Sequence, residues 1–88
     1  MNFAIRWRDA AIDDLAAAWL NADPPQRAAI TQATHSIEQE LKFQPIEAGE
    51  SRPEGERIMF CAPVGVLFHV EEQEAAVIIE QAWLFSTR

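Results

Sequence analysis

One cysteine, three glycines and seven basic side chains are all that this 88-residue sequence holds of those types. The lone Cys61 excludes a disulfide framework. Its place in the run Ile58-Met59-Phe60-Cys61-Ala62 reads as a small buried hydrophobe in a reducing compartment, because a nucleophilic thiol needs a nearby base and an exposed position. No phosphate-cradling glycine loop is present. No apolar run approaches the ~20 residues that span a bilayer. The opening Met1-Asn2-Phe3-Ala4-Ile5-Arg6-Trp7-Arg8 is too short and polar for a signal peptide, so a cytoplasmic protein with no membrane contact is expected. Seven basic against fourteen acidic side chains give a net charge of −7, which repels a polyanion unless the cations gather on one face. Unaided nucleic-acid binding is therefore not expected. The acidity suits a partner with a basic segment, and equally a role in solubility.

What is present is enough apolar material, 49% of the residues, for one core, and 1–88 reads as a single domain. Asn2 to Trp7 places Phe3, Ile5 and Trp7 on one side, the period of a half-buried strand. From Asp9 the period changes. Ile12, Leu15, Ala16 and Trp19 fall at helical spacing, with Asp13 and Asp14 in the first turn, where the helix dipole favours carboxylates. Asp23 then reads as an N-cap, with Pro24 at the first helical position and Gln26 at capping-box spacing. Ile30, Ala33, Ile37 and Leu41 continue as one stripe out to about Phe43. Gln44 to Glu56, broken by Pro45, Gly49, Pro53 and Gly55, is expected to be a loop. Three strands are expected over Arg57–Ala62, Val64–Val70 and Ala75–Phe85, joined by short connections. The expected fold is α+β, in the order β-α-α-β-β-β, with a helical hairpin packed on one face of a small antiparallel sheet.

Such a sheet normally turns polar side chains toward water on its other face. Here the alternation is poor. Val64, Val66, Phe68 and Val70 share a face opposite Leu67 and His69. In the last strand Val77, Ile79, Trp83 and Phe85 stand against Ile78 and Ala82, so both sets carry large apolar groups. An apolar cover on the second face is expected: a second copy of the chain, a different protein, or the C-terminal residues folding back.

Trp7, Ala10, Asp14-Leu15, Trp19, Ile37, Leu41, Pro45, Gly49-Glu50-Ser51-Arg52, Gly55-x-Arg57 and Pro63-x-Gly65-Val66-Leu67-Phe68-x-Val70, taken in order, resemble the RelE/ParE family of type II toxin–antitoxin toxins across nearly the whole chain. The resemblance implies a small bacterial toxin, of the kind linked to plasmid stabilisation, neutralised by a cognate antitoxin. Its RelE branch implies mRNA cleavage in the ribosome, by basic residues with a late Tyr or His. Its ParE branch implies inhibition of DNA gyrase through protein contacts.

The catalytic pattern is mostly missing. Gly65 stands where ribonuclease members tend to carry an arginine, Ile58-Met59-Phe60-Cys61 has no lysine, and the chain has no tyrosine. Cleavage of a phosphodiester needs cations at the phosphate and a base for the 2′-hydroxyl. Arg57, His69 and Arg88 are the catalytic candidates, and Arg52, Leu67, Trp83 and Phe85 the partner-binding ones. Each has a plainer role: a surface ion pair of Arg57 with Glu54 or Glu71, a solvated loop cation at Arg52, a structural histidine at His69, an aromatic of the core or rim at Trp83. No metal site or cofactor is implied. The expected function is that of a toxin acting by protein binding. The alternatives are a ribosome-dependent endonuclease and a non-toxic binding module on the same fold.

Overall fold

The computed structural model describes residues 2–85. The chain runs β1 (Ala4–Trp7), α1 (Asp9–Leu20), α2 (Pro24–Phe43), β2 (Glu50–Ser51), β3 (Glu56–Cys61), β4 (Val64–Glu71) and β5 (Ala76–Leu84). The α+β expectation holds, with both helices and the three C-terminal strands where the periodicity places them. Asp23 caps α2 as expected, its Oδ1 accepting the Gln26 N–H at 2.9 Å, and Pro24 occupies the first turn, where an N–H would have no partner.

The sheet order is β1-β5-β4-β3-β2. The meander β3-β4-β5 is antiparallel, but β1 pairs parallel to β5, Ile5 opposite Val77. The helical hairpin between β1 and the meander makes this pairing possible, since a parallel neighbour needs a long crossover. The stretch expected to be all loop contains the two-residue β2, which pairs Glu50 with Ile58 and Ser51 with Arg57. Gly49 turns the chain there with φ +64°, and a Cβ on it would overlap the Ile58 carbonyl. Glycine is thus required on both conformational and steric grounds.

One core lies between the helices and one sheet face. Ile30, Ala33, Ile37 and Leu41 of α2 are buried against Met59, Val64, Val66, Phe68, Val77 and Ile79. The face assignment of β5 needs correction. Leu67 pairs with Gln81 but Phe68 pairs with Ile79, so Glu80 is an extra residue. This β-bulge shifts the alternation by one. Val77, Ile79, Ala82 and Leu84 share the helix-facing side with β4's Val64, Val66 and Phe68, whereas Trp83 pairs with Gly65 on the outer side. Trp83 therefore does not continue the Val77–Ile79 face.

Candidate functional site

The basic residues expected to do chemistry are placed apart. Arg57 follows the side of Met59 and Cys61, facing the helices, and donates from Nε to the Ala48 carbonyl at 2.7 Å and from Nη2 to the Gly49 carbonyl at 3.2 Å. It fastens the loop before β2; neither Glu54 nor Glu71 is its hydrogen-bond partner. Arg52 shares a shallow concavity with Arg57, lined also by Ser51, Glu56 and Val70, and reaches Glu50 at 3.4 Å. His69 lies on the opposite, outer face, pairing with Ile78 and Glu56 of the neighbouring strands. Arg88 lies outside the described residues.

His69 has a carboxylate at each ring nitrogen: Nε2 is 3.2 Å from Glu71 Oε1 and Nδ1 is 3.1 Å from Glu80 Oε1. The bulge sets Glu80 there, and Glu80 also accepts both contacts of the Arg8 Nε, at 2.9 and 2.7 Å. The hydrogen bond from His69 holds the Glu71 carboxyl below its ordinary range, and Glu80 raises the Arg8 guanidinium. A general base must offer a lone pair to the proton it removes. With a carboxylate oxygen against each ring nitrogen, neither nitrogen faces open space from which a substrate proton could be taken. The same opposed placement keeps Glu71 and Glu80 from converging on an ion. Among the described residues no group of three His, Cys, Asp or Glu side chains could hold a metal.

A different site comes from the helices. The α1 stripe Ile12, Leu15, Ala16 and Trp19 is not sealed into the core. It lines a groove of about 470 Å³ with Trp7 and with Ile30, Thr31, Thr34, His35 and Glu38 of α2. Ile12 is 47% exposed, Trp19 38% and Leu20 65%, and Ala11 is the one fully buried residue of α1. The two indole N–H groups are already satisfied, Trp7 by Glu38 at 2.9 Å and Trp19 by Thr31 at 3.2 Å. The rings consequently present apolar surface to the groove. Arg27 braces Trp19, its guanidinium 4.5 Å from the ring and bonded to the Trp19 and Leu20 carbonyls. The sequence carried a signal for this groove. Nine of the twelve α1 residues, Asp9 to Leu20, are apolar and distributed all round the helix, a pattern that asks for cover on more than one side.

The outer sheet face carries the partner-binding candidates Leu67, Trp83 and Phe85. Trp83 and Phe85 form an aromatic group with Phe60, whose ring stands edge-on to both at centroid distances of 6.1 and 5.1 Å. Phe60 is 53% exposed. Arg52 belongs to neither this group nor the groove.

No family model and no curated protein matches the chain. Solved structures do. A chain of the toxin–antitoxin complex RelBE2 from Mycobacterium tuberculosis superimposes with a TM-score of 0.77 at 17% identity, over 99% of this chain and 95% of that one. The chain has the RelE/ParE toxin fold. A chain of the chromosomal ParDE system of P. aeruginosa matches with a TM-score of 0.73 at 18% identity, over 96% and 97% of the two chains. The isolated E. coli RelE toxin matches at 0.65 and 12% identity, over 98% and 87%. The RelE/ParE fold accounts for the helical hairpin, the parallel β1 and the meander together. At these identities the likeness carries architecture, and the chemistry rests on the side chains described above.

Proposed function

We propose that this chain is the toxin-type member of a bacterial type II toxin–antitoxin pair, and that it works in the cytoplasm by binding proteins rather than by cleaving RNA. The observation that carries the reading is the α1–α2 groove. Its apolar walls, drawn from both helices, suit an amphipathic helix, and the whole-chain likeness is to structures that include two toxin–antitoxin complexes. With a net charge of −7, the neutralising partner is expected to carry a basic flank beside its apolar stripe. The cellular target belongs to the same class of contact, a protein surface such as that of DNA gyrase or a ribosomal site. Against RNA cleavage stand the separation of Arg57 from His69 and the occupation of both His69 nitrogens.

The test is growth of a bacterial host after induction of the chain alone, then with the small protein encoded beside it. Arrest relieved by that neighbour, and no longer relieved when Ala16→Arg fills the groove, is the expected result. Arrest abolished by Arg57→Ala and His69→Ala at equal levels of folded protein would instead establish the endonuclease. Folded protein with no arrest would leave a non-toxic binding module.

A further inference from the structure

The outer sheet face has an ordered distribution of charge across its strands. One cross-strand row runs Arg6, Ile78, His69, Glu56 from β1 to β3. The next runs Gln81, Leu67, Ile58, Glu50 from β5 to β2, with Arg8 beside it at the β1 edge through Glu80. The row after that is Trp83, Gly65, Phe60. Thus the β1 edge carries Arg6 and Arg8, the β2 and β3 edge carries Glu50, with Arg52 upon it, and Glu56, the middle sets Ile78, Leu67 and Ile58 around the His69–Glu71–Glu80 chain, and one end is aromatic.

We infer that this face is the interface of a homodimer whose two-fold axis runs parallel to the strands. A rotation about that axis lays the β1 edge of one copy over the β2 and β3 edge of the other, because position across the sheet is reversed while position along the strands is kept. With the axis between β5 and β4, β1 lies over β3 and Arg6 meets Glu56, twice over by symmetry, while the aromatic group of Phe60, Trp83 and Phe85 overlaps the same group of the other copy. The other in-plane axis would stack arginine on arginine and aromatic end on polar end. An isologous contact needs such self-complementarity, which a foreign partner does not require of a surface. Size is also sufficient. Five strands about 4.8 Å apart make a face roughly 20 Å wide, and a stable contact needs about 800 Å² from each partner out of a total surface of 5635 Å². The like net charges of two copies are screened beyond about 8 Å at physiological salt, whereas the facing pairs lie inside that length. The helix groove lies on the opposite side of the sheet and stays open, so this inference stands or falls separately from the proposed toxin role.

Sedimentation of the full chain between about 1 and about 500 μM, the range in which a contact of this size is expected to associate, tests it. The wild type should reach twice the monomer mass. Phe60→Asp, at a half-exposed position, should weaken association at least about tenfold while circular dichroism stays unchanged. Arg6→Glu should also weaken it, and Arg6→Glu combined with Glu56→Arg should restore it. A monomer at every concentration, or a dimer indifferent to Phe60→Asp, overturns the interface. A charge swap that fails to restore association overturns the two-fold register.

Discussion

Gly65 lies directly beneath the indole of Trp83: a Cβ placed on Gly65 would come within 2.7 Å of the ring. The absence of a side chain at one residue is therefore what lets the other lie flat on the outer face, beside Phe60. A larger residue here and the seated tryptophan exclude each other. Gly65→Ala should lift the ring away, with a loss of about 1 kcal/mol or somewhat more, since overpacking is relieved when a half-exposed ring moves. A shifted tryptophan emission maximum with a small drop in the urea midpoint is the expected pair of observations. Unchanged emission relative to the wild type would contradict the seat.

Arg57 acts on the chain itself, through the Ala48 and Gly49 carbonyls. Arg57→Ala removes a charged donor from both and should cost about 1–3 kcal/mol. Arg57→Lys should recover part of that, because an ammonium cannot reproduce the forked geometry. Urea unfolding measures both, and hydrogen exchange should quicken first between residues 46 and 52. A variant as stable as the wild type would remove this role.

Gly49 has a left-handed φ of +64° and no room for a Cβ against β3. Gly49→Ala is expected to destabilise by about 2–4 kcal/mol, more than a change of φ preference alone, because backbone must move. The same substitution at Gly55, where φ is +79° but nothing lies within 4 Å, should cost only about 1 kcal/mol. Thermal midpoints of the two variants should rank in that order; equal midpoints would contradict the steric argument.

Glu71 makes stability depend on acid. Its carboxyl is held below its ordinary value of 4.5, first by the hydrogen bond with His69. A carboxyl with a depressed folded-state pKa contributes stability above the unfolded value and loses it as pH falls through the folded one. The thermal midpoints of the wild type and His69→Ala should therefore differ most above about pH 5 and converge as the pH drops below 4. A difference that stays constant down to pH 3 would mean that the contact contributes nothing through Glu71. The effect should be small and weakened by salt, since the pair is accessible to water.

Element identity and order were legible because they rest on local spacing. The α2 stripe Ile30, Ala33, Ile37 and Leu41 is buried as its period requires, and Asp23 caps the helix that its neighbours announce. The α1 stripe was legible as a stripe, but not as the wall of an open groove. Periodicity identifies a face that avoids water without naming what covers it. Of the candidate site residues, Leu67, Trp83 and Phe85 could be chosen as apolar groups beyond one core's needs. The destination of Arg57, and the carboxylates on both sides of His69, depend on residues as distant as Ala48 and Glu80.

Local spacing along the chain is enough to specify a small α+β protein with two amphipathic helices, a three-stranded meander and more apolar surface than one core consumes. Neighbouring residues suffice for that, because helix and strand periods are read over a few turns or pleats. Long-range pairing sets the rest: β1 joins β5 in parallel, β2 caps the far edge, and the Glu80 bulge turns Trp83 outward while setting a carboxylate between Arg8 and His69. These are matters of register between strands far apart in the chain, and one inserted residue exchanges the two faces of everything that follows it.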